Sequence, residues 1–410
     1  MSQKRNLFFI RSRQTFGKLV STLTRFKVPN MYIGENSVSE INHILLHRKY
    51  QVHNCMIVTG PKLVKTNMLD GIYDKLKKNG IDFCVFSDVL INPTIENVEE
   101  GIKLFKDRKC EAIIAFGGGS VIDVAKCILA RSANPNMTLQ QMEGKNKIKN
   151  RLPLLVAIPT TCGSGSESTF SAVISDEKSK RKLIITDFDL LPKYIILDPK
   201  LLNSLSSDQI AQTGMDAFSH AVEAYISFTS SGKSDYYALE AIKLLNTNLE
   251  IVTTKEGANN TKAKENLLLA AHYAGLASSR AGVGYIDALA HAISSKYKVP
   301  HGLLTAILMP YVLESYGEKA HFKLASLADG ITYLTEENDD IRAKWMIDRI
   351  KALNSYLGIK NNLKKIIDQD KVQSLASIAY NEAQPFYPTP KILDLVDLEN
   401  ILYLVLKDSE

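Results

Sequence analysis

The stretch "IIAFGGGSVIDVAK", from Ile113 to Lys126, decides the fold class of this 410-residue chain. A run of apolar residues ends in three glycines, Gly117, Gly118 and Gly119, and a helical pattern begins at once with Ser120. A buried strand that turns through glycines into a helix is typical of nucleotide-binding α/β folds, because backbone amides can then approach a diphosphate at the helix N-terminus. The turn is not the G-x-G-x-x-G fingerprint, so an ordinary tight turn remains an alternative.

Short apolar runs and helical patterns alternate on both sides of this turn. The runs "CMIVTG", "DFCVFSD" and "LPLLVAIPTT" predict strands, and "MLDGIYDKLKKNG" and "IENVEEGIKLFKDRK" predict helices between them. This alternation predicts a parallel sheet covered by helices. After Asp198-Pro199 long helical patterns such as "DYYALEAIKLLNTNLEIV" take over. We therefore predict a dinucleotide-binding α/β domain over residues 31–199 and an all-helical domain over residues 200–410.

The net charge of +6 is concentrated at the start of the chain. Seven basic residues and no acid fall within the first 27 residues, so the remainder carries −1, which argues against nucleic acid as a partner. We predict that residues 1–30 are a basic N-terminal extension exposed to solvent; a transit peptide or a surface-adhesive arm are the alternatives. The basic residues are Lys4, Arg5, Arg11, Arg13, Lys18, Arg25 and Lys27.

Composition and cysteine usage indicate an ordinary soluble protein. Apolar residues make up 45% of the chain, enough for a large core, and no run of 18 apolar residues predicts a membrane span. The five cysteines are odd in number and never form a Cys-x-x-Cys pair, which argues against a disulfide framework and a thiolate zinc site. We therefore expect a cytoplasmic protein without a membrane partner.

A second glycine- and hydroxyl-rich loop follows a later strand. The stretch "AIPTTCGSGSES" begins at Ala157 and contains Thr160, Thr161 and Ser164. Two such loops in one α/β domain favour nucleotide binding more strongly than either loop alone.

Carboxylates and histidines with metal-ligand spacing occur in the helical half. Asp216 and His220, in "GMDAFSHAVEAY", are four residues apart and share one helix face. Asp287 and His291, in "YIDALAHAISSKYKVPHG", repeat that spacing, and His301 follows in a turn behind Pro300. Carboxylate oxygen and imidazole nitrogen suit Zn²⁺ or Fe²⁺. An isolated Asp-x-x-x-His pair is often only a surface hydrogen bond, but the grouping of five such residues favours a metal site.

Five motifs in order resemble those of the iron-containing (group III) alcohol dehydrogenase family. They are "FGGGSVIDVAK", "PTTCGSGSESTFSAVI", "TGMDAFSHAVEAY", "SDYYALEAI" and "VPHGLLTAILMP". The resemblance extends from about Tyr32 to "YPTPK" near the C-terminus. It implies a Rossmann-like N-terminal domain and an all-α C-terminal domain, the dehydroquinate synthase-like architecture, with the active site in the cleft between them. It also implies reversible hydride transfer between nicotinamide and an alcohol or aldehyde, with a divalent metal and NAD or NADP as cofactors.

The resemblance also implies roles for individual residues. Gly117, Gly118, Gly119 and Ser120 would hold the pyrophosphate, and Asp123 would lie beside the nicotinamide. Asp216, His220 and His301 match three metal ligands, and His291 falls where the family has a histidine near the metal, a plausible proton relay. Many relatives are homo-oligomers, so we expect a homo-oligomer, as a dimer. The remaining cofactor contacts would be Thr160, Thr161, Ser164 and Lys182.

Asp287 departs from the family pattern, which usually has His-x-x-x-His at this point. A carboxylate in place of a neutral imidazole would lower the net charge of the metal site and weaken its Lewis acidity. We predict that Asp287 is a fourth ligand. The alternative is that Asp287 accepts a hydrogen bond from His291 beside the metal.

Gly60 is the second departure, because many family members place an aspartate after the first strand. That carboxylate would accept the adenosine ribose hydroxyls and repel a 2′-phosphate. With Gly60 there is no such repulsion, and Lys62 and Lys65 could attract the phosphate. We therefore predict that NADP(H) is tolerated or preferred; the alternative is that Gly60 only shapes the turn.

Two other functions are compatible with the sequence. A synthase of the same two-domain plan would use NAD and metal in an internal redox cycle followed by elimination or cyclisation. A catalytically retired scaffold would follow if Asp287 had broken the metal site. The interpretation favoured here is an NAD(P)-linked, metal-dependent alcohol dehydrogenase or aldehyde reductase with a small alcohol or aldehyde as substrate.

Overall fold

The computed structural model describes residues 9–15, 27–179, 181–364 and 366–407. The described residues form two compact units, one within Val28–Leu205 and one from Ser206 onward that also includes residues 9–15 and Lys27. Residues 1–8 and 16–26 of the basic extension fall outside the described residues, and with them four of its basic residues, Lys4, Arg5, Lys18 and Arg25.

A parallel sheet forms the centre of the α/β unit, as predicted. Its six strands have the spatial order β1-β9-β6-β4-β2-β3, and every neighbouring pair is parallel. Apolar side chains fill the central strands, which are buried on both faces as is typical of parallel sheets. The strands are β1 Asn30–Ile33, β2 Asn54–Thr59, β3 Asp82–Phe86, β4 Ala112–Gly117, β6 Leu154–Pro159 and β9 Tyr194–Leu197.

Helices connect these strands, and two of them begin at a threonine side-chain cap. Thr94 accepts a hydrogen bond from Asn97 N at the start of one helix, which therefore begins where the sequence pattern predicts it. The core of the unit lies between the sheet and these helices. The α-helices of the unit are α1 Ile41–Leu45, α2 Pro61–Val64, α3 Asp70–Lys78, α4 Ile95–Asp107, α5 Gly119–Ala133 and α6 Leu139–Met142.

A second, smaller sheet was not predicted from the sequence. It has the order β5-β8-β7, with β5 Gly144–Lys145, β7 Ser171–Asp176 and β8 Arg181–Thr186. Strands β7 and β8 pair antiparallel, and inward and outward residues alternate along them. Polar residues within β7 and β8 interrupt the alternation of apolar and polar residues that would indicate these strands in the sequence.

The second unit is helical, which confirms the predicted fold class. Its helices are amphipathic or wholly buried, and α7 begins with a capping box between Ser206 and Gln209. Within the described residues, no helix is long and apolar enough to span a lipid bilayer. The helices are α7 Ser207–Ile226, α8 Gly232–Thr253, α9 Thr261–Ala281, α10 Tyr285–Ser294, α11 His301–Tyr316, α12 Glu318–Ile331, α13 Asp339–Tyr356, α14 Val372–Ala383 and α15 Leu395–Leu406.

Residues 9–15 of the basic extension are helical and pack within the helical unit. Arg11 donates hydrogen bonds to the backbone carbonyls of Thr389 and Pro390, at 2.8 and 2.9 Å. Ile10 and Gln14 are buried. The expectation of a solvated extension is therefore wrong for Ile10, Arg11 and Gln14, which pack within the helical unit, whereas the other four described residues of this helix are exposed.

Candidate metal centre and dinucleotide loops

Helix α7 presents the first acid and histidine of the candidate centre. Asp216 and His220 are buried on one face of the helix, with His220 Nε2 3.9 Å from Asp216 Oδ1. The hydroxyl of Thr305, on α11, donates to Asp216 Oδ1 at 3.3 Å and helps to fix the carboxylate. The i, i+4 geometry predicted for this pair is confirmed.

Helix α10 carries the second pair and is held at its N-terminus by a buried acid. The carboxylate of Glu223 accepts hydrogen bonds from the backbone N–H groups of Gly284 and Ile286, both at 2.8 Å. These are N–H groups that a helix start leaves without an internal partner, and a carboxylate also suits the positive end of the helix. Glu223 thereby links α7 to α10 and fixes the orientation of Asp287 and His291.

His301 is the first residue of α11, with Pro300 as the preceding cap. It does not sit in a turn, as the sequence suggested, because the fixed φ of Pro300 is compatible with a helix start. Gly302 lets this end of α11 approach α7 closely: a Cβ atom at Gly302 would overlap the carbonyl oxygen of Gln212. The glycine of the Pro-His-Gly motif thus permits the close packing that brings His301 to Asp216.

The donor atoms of the four predicted ligands and of His291 fall into two groups that share His301, namely Asp216–His220–His301 and Asp287–His291–His301, and within each group they lie within 4.8 Å of one another. His301 Nε2 lies 3.6 Å from Asp216 Oδ1 and 3.1 Å from Asp287 Oδ1. His220 Nε2 lies 3.8 Å from Asp287 Oδ1. Four ligands bonded at about 2.0–2.1 Å to a tetrahedral ion stand roughly 3.3 Å apart, close to these separations. The residues present therefore fit a divalent cation.

The electrostatics of the cluster also favour a cation. Burial opposes a charge on His220, yet the carboxylates of Asp216 and Asp287 raise its pKa to about 9. Burial likewise disfavours the charged form of Asp287, but the imidazoles of His291, His220 and His301 hold its pKa well below its ordinary value. Two buried carboxylates thus attract positive charge to one point, and a metal ion supplies it without the uptake of protons.

His291 faces the same point but is held by a different acid. Its Nδ1 lies 2.7 Å from Glu382 Oε1, and its Nε2 lies 3.8 Å from Asp287 Oδ1. The hydroxyl of Tyr387 donates to the same Glu382 oxygen at 2.8 Å. A carboxylate on Nδ1 fixes that proton, so that Nε2 is left as the exchangeable nitrogen of the ring.

In the α/β unit, the glycine turn lies at the carboxyl end of the sheet. Gly117 ends β4, and Gly118 is the cap of α5, whose first residues are Gly119 and Ser120. A Cβ at Gly119 would overlap the side chain of Ser164, so the turn packs tightly against the loop after β6. The strand order changes direction between β2 and β4, which is where open α/β sheets bind their ligands.

The second loop adds hydroxyls at the same edge of the sheet. The N–H of Thr160 donates to the carbonyl of Gly117 at 3.1 Å, and Thr161 lies against Gly118. Lys182 projects from β8 and donates to Asn92 Oδ1 at 3.4 Å and Ser175 Oγ at 3.2 Å. Asn92 adjoins Ile91, whose carbonyl accepts a hydrogen bond from Ser120. Each predicted cofactor contact therefore lies at or near the glycine turn.

Asp123 accepts a hydrogen bond from the backbone of β7. It is buried on α5, and its Oδ2 accepts a hydrogen bond from the N–H of Val173 at 3.0 Å. Its neighbour Lys126 is fully buried and donates to the carbonyls of Ser166, Thr169 and Ser171 at 2.7–2.9 Å. Through these hydrogen bonds, Lys126 holds the end of the second loop against α5.

Gly60 follows β2 and precedes α2, also at the carboxyl end of the sheet. Its φ is −93°, and a Cβ at this position would meet nothing within 4 Å. The backbone therefore does not require glycine, which argues against the interpretation that Gly60 only shapes the turn. Lys62 and Lys65 nearby are exposed.

Sequence reasoning missed Glu223, Glu382, Tyr387 and Lys126 as members of these sites. Glu382 is 91 residues away from His291 along the chain, and no local spacing connects them. Glu223 and Lys126 do fall inside the quoted motifs, where a charged residue on a buried helix face was a usable signal.

The α/β unit has a parallel sheet of the dinucleotide-binding type with a glycine turn. The helical unit has an Asp-His cluster that fits a divalent cation. These features are those of a metal- and nicotinamide-dependent oxidoreductase. Family profiles agree with this class. The profile "Iron-containing alcohol dehydrogenase" matches residues 29–199, and "Fe-containing alcohol dehydrogenase family, C-terminal" matches residues 210–405. The chain belongs to the iron-containing alcohol dehydrogenase family, whose members use NAD(H) and a divalent metal.

Individual relatives cover most of the chain. Alcohol dehydrogenase 4 of Saccharomyces cerevisiae (strain YJM789) is 31% identical over 368 residues, 89% of this chain and 94% of the relative. 1,3-Propanediol dehydrogenase of Citrobacter freundii is 32% identical over 371 residues, 88% of this chain and 93% of the relative. The crystal structure of a 1,3-propanediol oxidoreductase superposes with a TM-score of 0.89 at 29% identity, covering 93% of this chain and 100% of that chain. The protein is thus an oxidoreductase that acts on CH–OH groups.

Proposed function

We propose that this enzyme interconverts a small primary alcohol or diol and its aldehyde at a centre bound by two carboxylates and two imidazoles. The observation that carries the proposal is that two groups of possible metal ligands, Asp216–His220–His301 and Asp287–His291–His301, share His301 and have their donor atoms within 4.8 Å of one another in each group. The names of the two relatives support a small alcohol or a short diol as the substrate.

Each residue has a defined task in this proposal. The four converging side chains hold the cation, and His301, with 31% of its side chain exposed, leaves one side of the centre accessible. A divalent cation supplies Lewis acidity toward an alcohol or carbonyl oxygen, and nicotinamide accepts or returns the hydride. Gly117 to Ser120 bind the pyrophosphate at the start of α5, and Thr160, Thr161, Ser164 and Lys182 complete the cofactor contacts.

His291 carries the proton that the reaction releases or consumes. Glu382 holds Nδ1, so Nε2 is the nitrogen that accepts a proton from the alcohol or returns it. Asp123, buried on α5, is proposed to orient the nicotinamide through the loop that it and Lys126 support.

NADP(H) is proposed as an accepted cofactor alongside NAD(H). Gly60 has no carboxylate that would repel a 2′-phosphate, and a Cβ at this position would meet no atom within 4 Å. The exposed Lys62 and Lys65 would attract the phosphate.

The location and assembly of the enzyme are likewise proposals. All five cysteines are free thiols, which suits a reducing cytoplasm. We also propose a homodimer, and sedimentation at micromolar concentration would test it: a single species of about 46 kDa would contradict it.

Variants at Asp287 test the metal centre and the function together. Asp287→Ala should lose about 90% of its bound metal and at least a hundredfold in kcat, because a buried ligand is removed. Asp287→His should keep metal, and Asp208→Ala, an exposed acid on α7, is the matched control. Metal analysis and an NAD(P)H-linked assay on 1,3-propanediol and short alcohols provide both measurements. Full metal content in Asp287→Ala would show that Asp287 is not a ligand.

A further inference from the structure

A short proline-containing loop near the C-terminus depends on outside donors for its backbone. The loop Tyr387-Pro388-Thr389-Pro390 has few N–H groups of its own, because proline has none. The N–H of Phe228 and the hydroxyl of Ser227 donate to the carbonyl of Pro388, at 2.6 and 3.0 Å. The carbonyl of Tyr387 accepts a hydrogen bond from the N–H of Thr389 at 3.0 Å. The carbonyls of Thr389 and Pro390 need partners from outside the loop, since acceptors without a partner are costly in a folded protein.

Residues 9–15, here called the N-terminal strap, supply those partners. Arg11 donates through Nη1 to the carbonyl of Thr389 and through Nη2 to that of Pro390, at 2.8 and 2.9 Å. Gln14 Nε2 donates to the carbonyl of Tyr387 at 3.0 Å. Two side chains of the strap therefore bind three of the four loop carbonyls.

The strap is seated by more than these hydrogen bonds. The Arg11 guanidinium lies over the ring of Phe228, 4.5 Å from its centroid, and also donates to Gln14 Oε1 at 2.9 Å. Ile10 and Gln14 are only 7% and 6% exposed. A planar guanidinium that stacks on a ring and donates to two carbonyls has a fixed orientation that lysine cannot reproduce.

The loop that the strap holds contacts the candidate active site in two ways. Its Tyr387 hydroxyl donates to Glu382 Oε1, which binds His291 Nδ1. Its Pro388 packs against Gly282, just before α10: a Cβ at Gly282 would lie 2.8 Å from the Pro388 ring. The backbone position of the loop thus sets the position of the Tyr387 hydroxyl and supports the start of the helix that carries Asp287.

We infer that Arg11 and Gln14 are positioning residues, which hold the 387–390 loop so that Tyr387 and Glu382 orient His291. The strap is then part of the folded helical unit. The structural half of this inference, that the strap holds the 387–390 loop, stands by itself. The kinetic half, that the loop thereby orients His291 for the reaction, rests on the proposed function.

Hydrogen exchange on the full-length, metal-loaded protein tests the structural half. In Arg11→Ala the amides of residues 386–393 should exchange about tenfold faster or more, because two loop carbonyls lose their donors. Arg13→Ala is the matched control: Arg13 is exposed and stacks on Phe9 within the strap. If Arg11→Ala folds poorly, Arg11→Lys and Gln14→Ala, which remove fewer contacts, replace it. Exchange within twofold of wild type in the variant used would overturn the inference.

A double-mutant cycle tests whether the strap acts through Tyr387. Tyr387→Phe removes the hydroxyl but keeps the backbone carbonyl that Gln14 binds. Each single variant should lower kcat roughly tenfold with little change in KM, and the double variant should be no slower than Tyr387→Phe alone. Fully additive losses, or a normal kcat in Arg11→Ala, would overturn the positioning role. Inactivity of the wild type would count against the proposed function, and the exchange experiment would still decide on the strap.

Discussion

Asp287 is the residue that most affects the Lewis acidity expected of a metal ion at this centre. Its Oδ1 lies within 3.8 Å of the Nε2 atoms of His220, His291 and His301, so the carboxylate faces the centre directly. A carboxylate in place of an imidazole lowers the net charge of a bound ion and its acidity toward an alcohol. The geometry counts against the idea that Asp287 broke the site and left a retired scaffold, because the donors converge.

We propose that Gly60 affects the choice between NAD and NADP. Gly60→Asp should lower the ratio of kcat/KM for NADP to that for NAD by about tenfold or more, because the new carboxylate repels the 2′-phosphate. Steady-state kinetics with both cofactors measure the ratio. Gly60→Ala adds a Cβ without charge and should leave the ratio unchanged. An unchanged ratio in Gly60→Asp would mean that this position does not contact the adenosine ribose.

His272 makes stability depend on pH. It is buried in α9, and burial lowers its pKa to about 4, below the 6.5 of an exposed histidine. The unfolded chain therefore binds more protons between these pH values, and this contribution is lost as pH falls from about 6.5 toward 4.

Removal of this histidine should reduce the acid sensitivity. Between pH 7 and 5, His272→Gln should lose about 2 kcal/mol less unfolding free energy than the wild type. Urea unfolding at the two pH values gives the difference, and His53→Gln, at an exposed position, is the control. Equal losses in the wild type and His272→Gln would show that His272 is protonated in the folded state.

At the scale of elements, the approach of α11 to α7 depends on Gly302. Gly302→Ala places a Cβ against the carbonyl of Gln212 and next to Asp216, so we expect a loss of about 2–3 kcal/mol in unfolding free energy and weaker metal binding. Denaturant unfolding and metal titration check both effects. Gly71→Ala, on exposed α3 with open space around it, should be neutral or slightly stabilising. Normal metal affinity in Gly302→Ala would contradict the packing argument.

The elements themselves were largely predictable from sequence. Helices α4 and α5 and strands β2 and β4 fall where their periodicity places them, because apolar spacing and caps such as Thr94 are local signals. The β7–β8 hairpin, the edge strand β1 and its neighbour β9 were not predicted, since pairing with distant partners defines them.

At the scale of the whole molecule, the metal-binding residues were predictable but their supports were not. Asp216 and His220 share a helix face, which spacing alone reveals. The link from Glu382 to His291 spans 91 residues, and that from Arg11 to Thr389 spans 378, so only the folded chain brings these partners together.

Metal should stabilise the folded enzyme by mass action. Saturating Fe²⁺ or Zn²⁺ binds the folded cluster far better than the unfolded chain, so a chelator should lower Tm by about 5–10 °C. Differential scanning calorimetry of chelated and reloaded protein measures the shift. In Asp287→Ala the chelator should change Tm little, because little metal is bound. A chelator shift of wild-type size in this variant would place the stabilising ion elsewhere.

The central claim is that Asp216, His220, Asp287 and His301 bind one divalent cation. Anomalous diffraction from crystals grown with Fe²⁺ or Zn²⁺ tests it most directly, because the map locates the metal without reference to any assumed ligand. We expect a single strong peak in the anomalous map, at about 2.0–2.2 Å from a donor atom of each residue. A metal peak bonded to other side chains, or none near these four after saturation with metal, would contradict it.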